Sequence, residues 1–408
     1  MKHTNLTKFL LVITIGAMIS CKKDLQNSSQ NTSTDDPAVV AARGGRPLYP
    51  SYNTSPLPPD ASGMPSTAVQ LAAKFKLGIN IGNTLEAIGG ETAWGNPQIT
   101  QALIDKYKQS GFTSVRIPCS WDQYANRTTA QIQAQWLDRV KQVVQYCVND
   151  GLYVVLNIHW DGGWLDAHIN TRDQASVNAK QKAFWEQIAT KLRDFDEHVM
   201  FASANEPPAE DATQMNVLLS YHQTFINAVR STGGRNTYRV LVVQGPSTDI
   251  DKTDALMNTL PTDPTPNRMM TEVHFYSPYQ FCLMSADESW GNMFYYWGQN
   301  NHSTIEPSRN ATWGEEDYVI AEFQKMKTKF ADKGIPIILG EYGAYRRSTP
   351  LDTEKHQASV DRWAMFVTQQ AIANGLEPFW WDTGGLINRS NNTVSDQRTL
   401  DALILGGQ

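Results

Sequence analysis

The chain has 408 residues, which suits one large domain with additional segments and is too long for a single small core. Hydrophobic residues make up 41% of the sequence and aromatic residues 10%, so a substantial core is expected. The formal net charge is −6 and no run of five basic residues occurs, which argues against nucleic acid or an anionic membrane surface as a partner.

The N-terminus has the pattern of an export signal. Lys2 and Lys8 precede the apolar run Phe9–Ile19, which is too short to span a bilayer. Cys21 follows directly and resembles the lipidated cysteine of a bacterial lipoprotein. We therefore expect residues 1–20 to be a signal peptide and the mature chain to be exported as an outer-membrane lipoprotein anchored at Cys21. Display on the cell surface and an ordinary signal peptide cut nearby both remain open.

Residues 21–66 are rich in small polar residues and proline, which predicts a flexible tether between the lipid and a folded domain at 67–408. The remaining cysteines are Cys119, Cys147 and Cys282, and an odd number does not form a disulfide framework. Cys119 and Cys147 lie in apolar segments and are expected in the core. No CxxC or HExxH spacing occurs, so neither a metal nor another cofactor is expected.

From about residue 70 onward, short apolar segments alternate with helical patterns. The predicted strands are Leu77–Asn83, Ser114–Pro118, Tyr153–Ile158, Met200–Ala204, Val240–Gln244, Thr271–Phe275, Pro336–Gly340 and Glu377–Trp381. Their continuous apolar character is typical of parallel strands buried on both faces. Eight strand–helix units predict a single (β/α)8 TIM barrel with its active face at the C-terminal ends of the strands. The alternative is an open doubly wound sheet, but no GxGxxG follows the first strand.

Polar side chains follow nearly every predicted strand, and in a barrel these ends share one face. The set comprises Asn83, Glu86, Arg116, His159, Trp160, Asn205, Glu206, His274, Tyr276, Glu341 and Trp381. One polar strand end is unremarkable, because a glutamate there is most often a helix cap or a surface residue. Polar ends on seven of eight strands are hard to explain by packing, so we expect a catalytic site on this face.

Two carboxylates at strand ends are what cleavage of a glycosidic bond requires. Glu206 precedes Pro207 and is assigned as the general acid and then the general base, whereas Glu341 is assigned as the nucleophile. We expect Arg116 to lower the pKa of Glu341 and Tyr276 to donate a hydrogen bond to it. A buried ion-pair partner with a purely structural role is the alternative for Arg116.

The remaining polar residues have supporting assignments. Asn205 is expected to bond the sugar 2-hydroxyl, and Trp381 to offer a flat face to the ring at the cleavage point. His159 and His274 would orient hydroxyl groups or the acid, or else be satisfied core groups. Alternation along the last strand allows only one of Trp380 and Trp381 to face inward.

These residues carry a family resemblance. Asn205-Glu206-Pro207 and Gly340-Glu341-Tyr342-Gly343 resemble the motifs of glycoside hydrolase family 5. The eight residues that the family shares fall here, in order, at Arg116, His159, Asn205, Glu206, His274, Tyr276, Glu341 and Trp381. The resemblance covers the chain from about residue 68 to its end. It implies a retaining double displacement that needs no metal, with the two carboxyl groups about 5–5.5 Å apart.

Flanking segments resemble endo-β-1,4-glucanases, including xyloglucanases and lichenases. They begin at Gly78, Arg116, Asn157 and Val273. This resemblance implies cleavage of internal bonds in glucose-backbone polysaccharides, with Asn83, Glu86, Trp160, Trp164 and Trp381 contacting the substrate. Trp160 stands where many relatives have a second histidine, which offers a stacking surface in place of a hydroxyl contact.

Three questions stay open. A β-mannanase on the same barrel would share the eight residues, and only the flanking segments argue against it. A non-catalytic surface protein that binds glycans would keep the aromatic residues and lose a carboxylate. The aromatic loop 282–313 either stacks on sugars or forms a small core of its own. We expect a monomer whose partner is the polysaccharide and whose membrane contact is the lipid at Cys21.

Overall fold

Eight parallel strands close into a barrel in the computed structural model, which describes residues 47–408. The strands are β1 (Gly78–Asn80), β2 (Ser114–Ile117), β3 (Tyr153–Asn157), β4 (Val199–Ala202), β5 (Leu241–Gln244), β6 (Met269–Phe275), β7 (Ile337–Tyr342) and β8 (Leu376–Trp380). β8 pairs with β1 through Phe379 and Gly78, which closes the ring. Each observed strand overlaps its predicted segment, and closure excludes the open sheet.

A helix follows each strand and covers the outside of the barrel. The helices are α1 (Gln101–Gln109), α2 (Ala134–Asn149), α3 (Gln174–Leu192), α4 (Ala212–Ser231), α5 (Ile250–Leu256), α6 (Glu316–Lys329), α7 (Thr353–Ala373) and α8 (Gln397–Gly406). The predicted (β/α)8 architecture is therefore confirmed. Because every crossover runs through a helix, all eight C-terminal strand ends and their loops lie on one face.

Alternation along the strands produces two apolar regions. In β3, Val154 and Leu156 pack outward against the helices, whereas Val155 points into the barrel. The lower barrel interior is apolar, with Met200 from β4 among the residues that fill it. The short helix Ala68–Ala72 packs against this region. The apolar filling fixes the barrel wall, so that polar side chains further along the strands are held rigidly.

The segment 47–66 departs from the predicted tether. Leu57–Pro59 pairs with Gly233–Gly234, and the amide of Tyr52 donates to Glu186 Oε2 at 2.7 Å. The Tyr52 hydroxyl also donates to the carbonyl of Thr129 at 2.6 Å. A few specific contacts therefore hold this polar segment on the barrel, although its composition is typical of a free linker.

The predicted signal peptide, Cys21 and residues 22–46 lie outside the described residues. Within residues 47–408, no helix has both the length and the apolar character needed to cross a bilayer. Cys119, Cys147 and Cys282 are buried free thiols. The first two lie in the core, as predicted.

Candidate active site

The two predicted catalytic glutamates converge at the mouth of the barrel. Glu206 lies in the loop after β4, and Glu341 lies near the end of β7. One carboxylate oxygen from each lies within 4.8 Å of the other and of a ring nitrogen of His274. Carboxyl groups about 5–5.5 Å apart are typical of retaining glycoside hydrolases, whereas inverting enzymes need about 6.5–9.5 Å. The spacing therefore suits direct attack by one carboxylate on the sugar.

Glu341 is held from both of its oxygens. Arg116 Nη1 donates to Oε1 at 2.9 Å, and the Tyr276 hydroxyl donates to Oε2 at 3.1 Å. Burial raises the pKa of Glu341, while His274 and Arg116 act in the opposite direction. Arg116 thus lowers the pKa of Glu341 as expected, but burial at the barrel mouth outweighs the neighbouring cations and the net shift is upward. Donors to both oxygens nevertheless favour the ionised carboxylate.

Arg116 ties together the groups around the nucleophile. Its guanidinium is fully buried and also donates to Asn80 Oδ1 at 3.0 Å and to Asn205 Oδ1 at 2.8 Å. Its Nε lies 2.9 Å from Glu272 Oε1. Arg116 is thus both a buried ion-pair partner and a direct contact of the nucleophile. Because Asn205 accepts through its oxygen, its amide nitrogen is the group left to donate to a sugar hydroxyl.

Glu206 is oriented by His274. The ring Nδ1 lies 2.7 Å from Glu206 Oε1, and Nε2 lies 3.3 Å from Glu272 Oε1. Burial alone would lower the pKa of His274, but the carboxylates of Glu341, Glu206 and Glu272 raise it to about 9. The ring is therefore an imidazolium near neutral pH, and both nitrogens donate. Within residues 47–408, no hydrogen bond reaches Glu206 Oε2, which is free to carry the acid proton.

A flat aromatic wall faces the site from the end of β8. Trp381 stacks on His159, with ring centres 5.9 Å apart and planes 8° from parallel. Trp380 points the other way and packs against Tyr342 and Trp363, as the predicted alternation requires. Burial, Arg116 and His274 together lower the pKa of His159 well below its usual range, so this ring is neutral. A neutral ring behind Trp381 supports it without adding charge.

Of the two predicted substrate contacts after β1, Glu86 is internal and Asn83 is partly exposed. Glu86 is buried, and its two oxygens accept from the amides of Asn83 and Thr84. Burial raises the pKa of Glu86 to about 7, although the backbone donors oppose this rise. Its carboxylate shapes the turn after β1, because the backbone amides there need acceptors. Asn83 adopts a positive φ of 59° in that turn and is partly exposed.

The two tryptophans after β3 also differ. Trp164 is buried against Phe184, and its indole N–H donates to Asp161 Oδ2 at 2.9 Å. It therefore belongs to the core, which corrects the prediction of a sugar contact. Trp160 is 50% exposed on the same loop and remains available to a polysaccharide. Strand-end position alone did not reveal which indole turns inward.

The long loop 282–313 divides in the same way. Phe294, Tyr295, Tyr296 and Trp297 are buried and form a small core, whereas Trp290 and Trp313 are exposed. Trp313 contacts Tyr318 edge to face, with ring centres 5.6 Å apart. The small-core interpretation therefore holds for the four buried residues, and stacking of Trp290 or Trp313 on sugars stays a prediction.

A cavity of about 200 Å³ adjoins the acid. Its walls include Glu206, His274, Ser247 and Tyr318, and they include neither Trp381 nor His159. The cavity therefore opens on the acid side of the reaction centre. The departing half of a glycoside lies on this side, because the acid must reach the leaving oxygen.

Three interior residues were absent from the sequence prediction: Asn80, Gln244 and Glu272. All are fully buried in the upper barrel. Glu272 is a charged residue inside the apolar strand Met269–Phe275, two positions before His274 and thus on the same face. That position in an apolar strand was the available signal, and it indicates a group placed beneath the catalytic pair.

A closed parallel barrel with two glutamates at this spacing, at the ends of its fourth and seventh strands, defines a retaining glycoside hydrolase. The family described as cellulase (glycosyl hydrolase family 5) matches residues 79–386. The chain belongs to glycosyl hydrolase family 5.

Similar proteins agree with this assignment. The chain is 34% identical over 383 residues to a xyloglucan-specific endo-β-1,4-glucanase of Bacteroides ovatus, covering 88% of this chain and 74% of that protein. It is 37% identical over 374 residues to endoglucanase A of Paenibacillus barcinonensis, covering 84% of this chain and 90% of that protein.

Solved structures give the same result. A Bacteroides ovatus xyloglucanase in complex with a XXXG heptasaccharide superposes with a TM-score of 0.81 at 33% identity, covering 88% of this chain and 80% of that chain. A xyloglucan-specific β-1,4-glucanase from a ruminal metagenomic library, in complex with XXLG, has a TM-score of 0.78 at 40% identity. That match covers 84% of this chain and 96% of the other.

Proposed function

We propose that this protein is an endo-acting β-1,4-glucanase that hydrolyses internal bonds of glucose-backbone polysaccharides. The proposed substrates are xyloglucan, mixed-linkage β-glucan and soluble cellulose. The observation that carries the proposal is the pair Glu206 and Glu341, close enough for double displacement and each held by its own donors. The endo mode and the glucan backbone are supported by the similar endoglucanases and xyloglucanases.

The first half of the reaction forms a covalent glycosyl–enzyme. Glu206, protonated on Oε2, donates its proton to the glycosidic oxygen while a carboxylate oxygen of Glu341 attacks the anomeric carbon. The bond from that carbon to the leaving oxygen breaks, and the shortened chain departs on the Glu206 side. The amide nitrogen of Asn205 is placed to donate to the 2-hydroxyl, a contact that strengthens in the transition state.

The second half returns the enzyme to its starting state. Glu206, now ionised, removes a proton from a water molecule that attacks the same anomeric carbon, and Glu341 leaves as a carboxylate. Two inversions give net retention of configuration. Arg116 and Tyr276 receive the restored negative charge of Glu341, since their donors already point at its oxygens.

Release of reducing sugars from a panel of polysaccharides tests the substrate. We expect activity on xyloglucan, mixed-linkage β-glucan and carboxymethylcellulose, and its loss in Glu341→Ala with folding retained. Activity on galactomannan alone would favour the β-mannanase alternative. Binding of glucan by a folded wild-type protein without any turnover would favour the non-catalytic alternative, which the presence of both carboxylates argues against.

We also propose that the chain is exported and anchored through a lipid at Cys21, on the outer membrane. The support is the positive start, the short apolar run and the cysteine that follows it. Metabolic labelling with palmitate should mark the wild-type protein and leave Cys21→Ala unlabelled. Equal labelling of both would contradict the anchor. A monomer remains our expectation, and sedimentation of the purified protein measures it.

A further inference from the structure

A third carboxylate lies beneath the two catalytic glutamates. Glu272 projects from β6 into the barrel and is fully buried. Its Oε1 lies 2.9 Å from Arg116 Nε and 3.3 Å from His274 Nε2, and its Oε2 accepts from Gln244 Nε2 at 2.5 Å. It therefore contacts the cation that holds Glu341 and the cation that holds Glu206. Glu272 has no direct contact with the reacting atoms.

The neighbouring strand leaves room for this carboxylate. A Cβ atom at Gly340 would lie 2.0 Å from Glu272 Oε1, so any larger residue there would displace the carboxylate. Gly340 directly precedes the nucleophile Glu341 on β7. The glycine thus allows Glu272 to lie next to the strand that carries the nucleophile.

The charge state of Glu272 is set by the two cations beside it. Burial opposes ionisation of Glu272, but Arg116 and His274 keep its pKa below the usual range. Glu272 is therefore an anion between two cations. His159 is neutral, and burial raises the pKa of Tyr276 well above its usual range, so neither adds charge.

Two positive charges thus face three carboxyls, and Asp166 is a further acidic group close enough to interact with Glu206. Both oxygens of Glu341 already accept hydrogen bonds, from Arg116 and Tyr276. Glu206 Oε2 is the position left for the proton. Glu272, Arg116 and His274 are buried, whereas the side chain of Glu206 is 28% exposed, so the charge of Glu272 reaches the acid through His274.

We propose that Glu272 is a positioning residue that fixes Arg116 and His274 and, through its negative charge, keeps the acid proton on Glu206. This inference rests on the proposed glycoside hydrolysis. A purely structural ion pair would predict a loss of stability and a uniform loss of activity. The proposal predicts in addition a change in the pH profile, because the charge of Glu272 opposes loss of the proton from Glu206.

The direction follows from the charge that is removed. In Glu272→Gln one negative charge behind His274 is removed, so release of the proton from Glu206 meets less electrostatic opposition. The acid is then lost at lower pH, so the alkaline limb of kcat/KM should move down by about one pH unit or more. At pH 7 the loss should exceed about tenfold on polysaccharide. It should be smaller on an aryl cello-oligosaccharide, whose phenol leaves without protonation.

A matched control removes a different buried carboxylate. Glu186 is buried on α3 and bonds Tyr52 and Lys182, neither of which belongs to the active site. Glu186→Gln should lower the melting temperature and leave the alkaline limb in place. If the wild-type enzyme cleaves neither substrate, the proposed function fails. If the wild type is active but the alkaline limb does not move in Glu272→Gln, only the inference about Glu272 fails.

An exchange variant keeps the test decisive if Glu272→Gln does not fold. Gln244 is the direct neighbour of Glu272, so the double variant Gln244→Glu/Glu272→Gln keeps the number of charges and the amide–carboxylate pair. We expect it to fold with an alkaline limb near that of the wild type. If the folded exchange variant shows the same downward shift of the alkaline limb of kcat/KM that is expected for Glu272→Gln, the electrostatic role of Glu272 is overturned. An unmoved limb in a folded Glu272→Gln protein overturns it as well.

Discussion

Replacement of Arg116 by lysine preserves the charge and removes the geometry. The three guanidinium nitrogens lie 2.8–3.0 Å from four side chains, which come from three other strands and one loop. These are Asn80, Asn205, Glu272 and Glu341. A lysine has one nitrogen and cannot span them, so Arg116→Lys leaves Asn205 without its donor and Glu341 free to shift. A misplacement of about 1 Å costs on the order of 100-fold. Loss of one charge-assisted hydrogen bond, at about 1.5–3 kcal/mol, costs about 10- to 150-fold more, so we expect kcat/KM to fall by about 1,000- to 15,000-fold.

The assay is kcat/KM on soluble β-glucan, with the melting temperature measured alongside. Arg239→Lys is the matched control, because Arg239 is equally buried but bonds Asn236 and the carbonyls of Phe195 and Val199 rather than catalytic groups. It should lose stability and keep most of its activity per folded molecule. A folded Arg116→Lys enzyme within threefold of the wild type would refute the positioning role of Arg116. Equal losses of activity in the two variants would refute it as well.

Two further predictions concern the aromatic loop and a remote carboxyl. Trp313→Ala should reduce kcat/KM on polysaccharide by roughly threefold to tenfold and spare aryl glycosides, because Trp313 contacts Tyr318 in the wall of the acid-side cavity. Ile320→Ala, an exposed position on α6 close to Tyr318, is the control, and a uniform loss of kcat/KM on both substrate types in Trp313→Ala would contradict the interpretation. Burial raises the pKa of Glu377 to about 8. The free energy of unfolding therefore falls as pH rises from about 4.5 towards 8, because the unfolded state releases this proton first. In denaturant titrations, the free energy of unfolding of Glu377→Gln minus that of the wild type should be larger at pH 9 than at pH 5. A difference that is the same at both pH values would contradict the raised pKa.

The barrel was predictable because parallel strands buried on both faces appear in the sequence as short apolar runs. The site was predictable for a related reason. Once the strands are parallel and closed, their ends share one face, so Glu206 and Glu341 must meet despite 135 positions of separation. The family resemblance then supported the assignment of acid and nucleophile.

The missed features share a physical cause. Glu86 and Trp164 follow strands as catalytic residues do, but each is used internally, one by backbone amides and the other by Asp161. Residue type and position near a strand end do not determine which way a side chain turns. Glu272 was missed for a different reason, because its partners Arg116 and Gln244 come from other strands and their proximity cannot be read from its own segment.

The packing of residues 47–66 on the barrel could also not be predicted from the sequence. Its contacts depend on single acceptors elsewhere in the fold, such as the carboxylate of Glu186 and the carbonyl of Thr129. Composition records the abundance of small polar residues and proline, and it carries no information about those distant partners.

The central claim is that Glu341 attacks the sugar directly and Glu206 serves first as acid and then as base. Proton NMR of the first product formed from a cello-oligosaccharide, recorded before mutarotation, tests this claim most directly. The account predicts that the β-anomer appears first and that the α-anomer grows in only at the rate of spontaneous equilibration. Initial appearance of the α-anomer would mean a single inversion by water and would contradict the assignment of Glu341 as the nucleophile.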